Sequence, residues 1–300
     1  MRDGAGAPAL EVLSPGPLAL LQDHGRPGYA HLGVTESGAA DLGAFDAANR
    51  LVGNLPGALV VETLLGGWRM RALRTVRVAV AGASVSVLVS RDGRTVEHPV
   101  GCALTLEAGD ELEFGAPPQE LRSYLAVRDG IAAPLVLGSG SSDTLSGLGP
   151  PPLRAGDILK LASQSGPWPA ADMIATWIGR VRAEIAVLPA LLGPRDHLLS
   201  GEGLTALGST TWTVSQDSNR VGVRLSGPPL EVVGDAGQLP SEGVVAGSVQ
   251  LPPDGRPVLF LRDHPVTGGY PVVAVLTRAA QDAAAQLRPG DRVRLAPARR

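Results

Sequence analysis

Short apolar runs separated by turns containing Gly and Pro extend over most of the chain. Over residues 59–114, apolar residues alternate with polar ones or form short continuous runs, in segments of strand length. Residues 91–94 contain the Asp-Gly pair that is typical of a tight hairpin turn. In the second half, residues 249–251 and 258–261 are predicted strands on either side of a Pro-Pro-Asp-Gly turn. This pattern predicts a mainly β protein.

Helical periodicity is confined to short stretches. Apolar residues fall at helical spacing over residues 42–52, with Asp41 as the predicted N-cap and Gly53 at the C′ position. A second helix is predicted to begin near Asp196. A third, rich in alanine, is predicted over residues 277–286.

An internal repeat indicates two related β domains. A turn of the form Leu-x-x-Gly-Asp, followed by a strand with alternate apolar residues, occurs at residues 106–110, 153–157 and 287–291. Two Pro and two Trp residues lie between Lys160 and Arg182, where we place the change of domain.

We therefore predict a disordered tail over residues 1–9, a first β domain over 10–165 and a second over 166–300.

Composition supports the β prediction and excludes several kinds of site. The 300 residues include 39 Gly and 26 Pro with 3% aromatics, which favours many short elements. A net charge of −3 without a basic block makes nucleic acid an unexpected partner. The single lysine, Lys160, follows no glycine-rich loop, which excludes a P-loop. The single cysteine, Cys102, excludes internal disulfides.

No signal-peptide pattern or membrane-spanning apolar run is present in the sequence, so we expect a cytoplasmic protein without membrane contact. The five histidines are never at metal-ligand spacing on one element, so we predict no metal site built from them.

Two polar loops, residues 241–243 and 262–270, carry the most concentrated chemistry. They contain carboxylates (Glu242 and Asp263), an imidazole (His264) and paired glycines whose backbone amides a ligand can approach closely. Such groups are suited to binding an anionic or amide-bearing small molecule. The alternative is a hairpin with a glycine bulge.

Five separated motifs carry a family resemblance. They are GRPGYAHLGVTESGAADLGAFDAANRLVGN, RSYLAVRDGIAAPLVLGSGSSDTLSGLGPPPLRAGD, SNRVGVRLSG, SEGVVAGSVQLPPDGRPV and DHPVTGGYPVVAVL. In this order they resemble the family of the 5-oxoprolinase C subunit, also known as the biotin-dependent carboxyltransferase or allophanate hydrolase subunit 2 family. Gly140 stands where the family usually has Arg, and Asp129 where it usually has Gly.

The resemblance implies two cyclophilin-like β-barrel domains with a few short helices. It also implies pairing with a kinase-inhibitor-like B subunit and, with an A subunit, ATP-dependent hydrolysis of 5-oxo-L-proline to L-glutamate. ATP with Mg²⁺ would be held by Arg, hydroxyl and Gly-amide groups, with a share from the partner. By resemblance, one site contains Asp23, Arg26, Ser37, Asp41 and Asn49.

The resemblance places a second site in the later loops, with Glu242 and Asp263 as candidate bases. Its other members are substrate-binding candidates: Ser218, Asn219, Arg220, Gln250, Thr267, Gly268, Gly269 and Tyr270. For each residue the alternative role is to pin a loop to the barrel.

Two other functions stay open from the sequence. One is a carboxyltransferase component of a biotin-dependent urea carboxylase or allophanate hydrolase system. In that system biotin would come from another protein, because Lys160 is not in a biotin-acceptor motif. The other is a non-catalytic regulatory subunit that binds a kinase-inhibitor-like partner.

Overall fold

The computed structural model describes residues 6–171, 173, 183–233 and 239–298. The predicted fold class is confirmed: the described chain is mainly β, with a closed barrel and a few short helices. The chain forms two compact units. The first unit consists of Met1–Arg26, Asp41–Asp143 and Gly147–Val181, and the second of Pro27–Ala40, Thr144–Ser146 and Arg182–Arg300.

The predicted limits of 10–165 and 166–300 stay a prediction, since much of the proposed boundary region lies outside the described residues. The predicted tail is too long, because Pro8 and Ala9 already belong to the first strand and Ala9 is buried.

The first unit contains two antiparallel sheets. Its strands are β1 (Pro8–Pro15), β2 (Ala19–Gln22), β3 (Val60–Leu64), β4 (Trp68–Ala72), β5 (Val76–Gly82), β6 (Val87–Arg91), β7 (Arg94–His98), β8 (Ala103–Leu106), β9 (Glu111–Phe114), β10 (Arg122–Val127), β11 (Ile131–Ala132) and β12 (Ile158–Leu161). One sheet has the order β11-β12-β1-β4-β9-β6-β7 and the other β2-β3-β10-β5-β8.

The first hydrophobic core draws side chains from both sheets, including Trp68 and Phe114 from one and Val80 and Leu125 from the other. The second face of the smaller sheet is covered by α1 (Leu42–Val52), which packs on β5 and β10. All six residues of β10 are therefore buried.

The bounds of α1 and both of its caps are as predicted: the side chain of Asp41 accepts from Ala44 N, and Gly53 is left-handed at φ 67°.

The second unit is built on a closed barrel of order β13-β20-β17-β18-β15-β14-β21. The barrel strands are β13 (Ile185–Leu192), β14 (Trp212–Val214), β15 (Gly222–Ser226), β17 (Ser248–Gln250), β18 (Val258–Phe260), β20 (Val272–Leu276) and β21 (Arg292–Ala298). A separate ribbon pairs β16 (Glu242–Gly243) with β19 (Thr267–Gly268). Trp212, Leu259 and Leu295 are fully buried in the core of this unit.

The two helices of the second unit begin close to their predicted positions. Asp196–Leu198 is only a 3-10 turn, and α2 (Gly201–Ser209) follows it with Ser200 as N-cap. The alanine-rich stretch forms α3 (Arg278–Ala284), capped by Thr277. None of the described helices has the length and hydropathy needed to cross a bilayer.

The Leu-x-x-Gly-Asp repeat adopts one backbone structure in all three places. The carboxylates of Asp110, Asp157 and Asp291 each accept the backbone N–H three residues earlier, at 2.7, 2.7 and 2.5 Å. The Gly before each Asp has φ between 89° and 95°, a left-handed conformation that glycine adopts without steric cost. The repeat is therefore a structural turn that introduces β9, β12 and β21.

Asp129 occupies a left-handed position with φ 77°, which gives a physical reason for glycine at this site in the family. We expect Asp129→Gly to raise the free energy of unfolding by about 0.5 kcal/mol, because relief of steric strain exceeds the added entropy of the unfolded chain. Asp129→Ala is the matched control, since it shortens the side chain but keeps a Cβ. Urea denaturation compares them, and equal stability of the two variants would contradict the explanation.

Candidate functional site

Asp23 organises the first group of predicted site residues. It follows β2, and its carboxylate accepts hydrogen bonds from Ser139 Oγ at 2.6 Å, Ser141 Oγ at 2.5 Å, Gly140 N at 2.8 Å and Gly25 N at 2.7 Å. Four donors occupy the two oxygens of one largely buried carboxylate. Asp23 therefore holds the loop around Gly140 in place.

Arg26 lies beside the same loop and is 1% exposed. Its Nε donates to Val136 O at 3.4 Å and its Nη2 donates to Ser141 O. Nη1 is enclosed and has no hydrogen-bond partner in the described chain, and no described carboxylate forms an ion pair with Arg26. A buried guanidinium without an anion is costly, so this group has unused capacity for one.

Gly140 stands where the family usually has Arg, and its surroundings suit the smaller residue. A Cβ at this position would collide with Leu59 Cδ1, and Leu59 is itself buried. The side chain of Leu59 therefore occupies space that a larger residue at 140 would need.

Asp41 and Asn49 use their side chains within the fold. Asp41 caps α1, and its own N–H donates to the hydroxyl of the buried Tyr124 at 2.8 Å. Asn49 Nδ2 donates to Ala58 O at 2.9 Å, and its Oδ1 accepts from Asn54 at 2.8 Å. These bonds favour the loop-pinning role for both residues over substrate binding.

Asp263 is the centre of the second group and is fully buried. Arg220 donates to it through Nε at 2.9 Å and Nη2 at 3.1 Å. Ser37 Oγ donates at 2.8 Å, and Thr144 donates through its N–H at 2.9 Å and its Oγ1 at 2.7 Å. Arg220 also donates to Gly38 O at 2.6 Å. Five donors therefore converge on one carboxylate and join three chain segments of the second unit.

Burial raises the pKa of Asp263, but attraction to Arg220 and the hydrogen bonds from Arg220 and Thr144 outweigh it and lower the pKa overall. A fully ionised carboxylate surrounded by donors is a poor proton acceptor. The geometry favours a positioning role for Asp263 over the role of base.

Ser218 and Asn219 shape the loop that presents Arg220. The Ser218 hydroxyl accepts Arg224 N at 3.1 Å, and Asn219 Oδ1 accepts Val221 N at 2.8 Å. Asn219 is exposed while its neighbour Arg220 is buried.

Glu242 lies opposite Gly268 in the ribbon of β16 and β19, so the structure brings two predicted site residues together. The Glu242 carboxylate accepts a two-pronged hydrogen bond from Arg195, with one N–O distance of 3.1 Å. The hydrogen bond from Arg195 lowers the pKa of Glu242, although burial opposes it. Glu242 is thus ionised and partly exposed.

Gly268 is small for a structural reason. A Cβ on it would lie 2.5 Å from the amide nitrogen of Gln250, which donates to Tyr270 O at 3.2 Å. The close neighbour of Gly268 is thus a side chain of the same unit. Gly269 is also engaged, since its carbonyl accepts Leu239 N at 2.8 Å.

Sequence reasoning did not name Thr144, Ser139, Ser141 or Arg195 as individual site residues. The first three lie in the run GSGSSDT, which is part of a motif that carries the family resemblance and is rich in hydroxyl groups. No local pattern singles out Arg195. Among the described residues, no group of three or more His, Cys, Asp or Glu side chains is arranged to hold a metal ion.

Residues 32–297 match the family described as the carboxyltransferase domain, subdomains A and B. The chain belongs to the carboxyltransferase domain family. The resemblance to the C subunit of 5-oxoprolinase is confirmed: the chain is 33% identical to that protein of Escherichia coli (strain K12) over 277 residues, covering 90% of this chain and 85% of the relative.

Longer proteins also contain regions similar to this carboxyltransferase domain. The chain is 31% identical to the urea amidolyase of Lachancea kluyveri, covering 96% of this chain and 17% of that protein. The crystal structure of K. lactis urea amidolyase is similar with a TM-score of 0.87 at 29% identity, over 97% of this chain and 19% of that one. The crystal structure of TTHA0988 has a TM-score of 0.82 at 36% identity, and the chain covers 96% of its own length and 55% of that chain.

We expect Gly268→Ala to lower the free energy of unfolding of this carboxyltransferase domain by about 1 kcal/mol. The added methyl displaces the Gln250 amide and breaks its hydrogen bond to Tyr270. In a Gln250→Ala background, Gly268→Ala should lower the free energy of unfolding much less. A double-mutant cycle by urea denaturation measures the difference between the two backgrounds. Gly243→Ala, which places its methyl in open space, is the control. Equal costs in both backgrounds would refute the contact.

Asp263→Asn should lower the free energy of unfolding by about 3–5 kcal/mol, because it leaves the buried Arg220 without its counter-charge. The contribution of Asp263 is complete above the unfolded-state pKa of about 4 and disappears as pH falls through the lower folded-state pKa. The difference in free energy of unfolding between wild type and Asp263→Asn should therefore become smaller in acid.

Chemical denaturation at pH 7 and in acid measures this gap. Glu242→Gln, which alters the exposed pair with Arg195, is the control and should change stability little. If Asp263→Asn has the same free energy of unfolding as wild type at pH 7, the positioning role of Asp263 is contradicted.

Proposed function

We propose that the chain is the C subunit of an ATP-dependent 5-oxoprolinase, which works with the A and B subunits to hydrolyse 5-oxo-L-proline to L-glutamate. The supporting observation is the similarity to the C subunit of E. coli 5-oxoprolinase, to which the chain is 33% identical over 85% of that subunit. A chain that contains most of the subunit at this identity is expected to act as the subunit does.

Arg26 is the group that we assign to the anionic end of the substrate. It is a buried cation with one unused donor, and 5-oxoproline carries a carboxylate that guanidinium binds well. Nη1 is enclosed in the described chain, so in this proposal it becomes accessible to the anion when the partner subunits bind, which fits a subunit that is active only in a complex.

ATP with Mg²⁺ enters the proposal as a co-substrate shared with the partner subunit. The sequence has no P-loop lysine, and the described residues contain no metal-holding carboxylate cluster. Arginine, hydroxyl and backbone amide groups of this chain would contact phosphate, and the ligands of Mg²⁺ would come from the partner or from ATP itself.

A carboxyltransferase function is the second candidate, supported by the family description and by the TM-score of 0.87 to K. lactis urea amidolyase. Biotin would then be carried by another protein, since the only lysine, Lys160, lies within β12.

Reconstitution separates the candidates. The three purified subunits are assayed with 5-oxoproline and ATP, omitting each in turn, and glutamate formation that needs this chain supports the proposal. Transfer of carboxylate from carboxybiotin without glutamate formation supports the second candidate. Binding to the B subunit with neither activity supports a regulatory role.

Arg26→Lys should raise the KM for 5-oxoproline about 10- to 100-fold in the reconstituted complex, because lysine keeps the charge but loses the planar set of donors. Steady-state kinetics at saturating ATP measure the change. Arg69→Gln is the control, since Arg69 forms partly exposed pairs with Glu111 and Glu113. The assignment is wrong if Arg26→Lys folds normally, as judged by melting temperature, and its KM is that of wild type.

A further inference from the structure

His264 follows the buried Asp263 and is itself 5% exposed. Its Nδ1 lies 2.7 Å from the carbonyl oxygen of Pro265. A carbonyl oxygen only accepts hydrogen bonds, so Nδ1 carries the proton and donates. In the neutral imidazole, Nε2 then has no proton and presents a lone pair.

Nε2 is the unused atom of this side chain. In the part of the chain that the structure describes, no donor bonds to it, and it is not one of the fully enclosed polar atoms without a partner. The ring packs against Phe260, with 6.0 Å between the ring centroids and a tilt of 30°. The ring therefore has one fixed tautomer and one unused acceptor, Nε2, which is not fully enclosed.

Burial keeps the imidazole of His264 in its neutral base form. Burial lowers the pKa of His264 below its ordinary value, and the carbonyl of Pro265 opposes this. The charged groups that act on the ring are Glu36 and Asp263, which raise the pKa, and Arg262, which lowers it. The net pKa is lowered, so the imidazole is neutral at pH 7.

The neighbouring carboxylates are less suited to accept a proton. Asp263 is occupied by five donors, and Glu242 is bound by Arg195. Both pKa values are lowered. Of these three groups, the imidazole has the highest ordinary proton affinity and an open lone pair.

We infer that Nε2 of His264 is the proton acceptor for the water that opens the activated lactam, an inference that rests on the proposed function. In the O-phosphorylated lactam the ring carbon is doubly bonded to nitrogen. An O–H bond of water breaks, the oxygen forms a C–O bond to this carbon, and the π pair of the C=N bond moves to nitrogen, while the water proton passes to Nε2 and from there to the nitrogen. The C–N bond then breaks with its electron pair on nitrogen, the new hydroxyl group becomes C=O, and the hydroxyl proton passes through Nε2 to the leaving amine. A second water hydrolyses the resulting acyl phosphate to the side-chain carboxylate and inorganic phosphate.

His264→Asn tests the inference with little disturbance, because its amide can still donate to Pro265 O while the acceptor at Nε2 is lost. We expect kcat for glutamate formation in the complex of all three subunits to fall about 100-fold or more, with KM and melting temperature nearly unchanged. The acidic limb of the wild-type pH profile for kcat should be absent from the variant. His31→Asn is the matched control, since exposed His31 has an equivalent Nδ1 contact of 3.1 Å with Gly28 O.

The inference and the proposed function fail in different ways. An intact wild-type complex that forms no glutamate refutes the proposed function. An active wild type with a folded His264→Asn variant whose kcat is within threefold refutes only the role of His264. Nitrogen NMR of the isolated chain gives a readout apart from activity: a neutral His264 protonated on Nδ1 agrees with the inference, and protonation on Nε2 overturns it.

Discussion

The buried carboxylate of Asp263 is the constraint on which the loops of the second unit depend. A fully buried charge is tolerated only when other groups replace its hydration, and here a guanidinium, two hydroxyls and an amide do so. The donors come from residues 37, 144 and 220, which are far apart in sequence. One side chain thus holds three segments, including two short pieces that the barrel strands themselves do not fix.

Asp23 is the corresponding buried carboxylate in the first unit. Its carboxylate has no arginine partner among the described residues and is stabilised by hydrogen bonds from hydroxyl and amide donors of the Ser139–Ser141 loop and of Gly25. Arg26 donates to the carbonyl oxygens of Val136 and Ser141. The Asp23 carboxylate and the Arg26 guanidinium therefore both bind this segment without forming an ion pair with each other. The consequence is a loop held tightly beside a cation that keeps one donor free.

These arrangements change which groups are available for chemistry. The two conspicuous carboxylates of the later loops are engaged by Arg220 and Arg195, and their pKa values are lowered. An unused donor remains on the enclosed Arg26 in the first unit, and an unused acceptor remains on His264 in the second unit. Each belongs to a largely buried side chain whose other polar atoms are held by hydrogen bonds.

Features that depend on near neighbours in the chain could be predicted from the sequence. The spacing of apolar residues defined α1, Asp41 and Gly53 defined its ends, and each Leu-x-x-Gly-Asp segment specified its own turn, because the Asp and the N–H that it accepts are three residues apart. The family motifs likewise identified the loops that carry Asp23, Arg220 and Asp263.

The contacts of those residues depend on the folded chain. The partners of Asp263 are 43, 119 and 226 residues away, and no local pattern reveals them. The reason for glycine at 268 is the side chain of Gln250, whose amide nitrogen would lie 2.5 Å from an added Cβ. Asp263 is a candidate base from its place in the sequence, and in the folded chain burial and its five donors, which no local pattern shows, set its proton affinity.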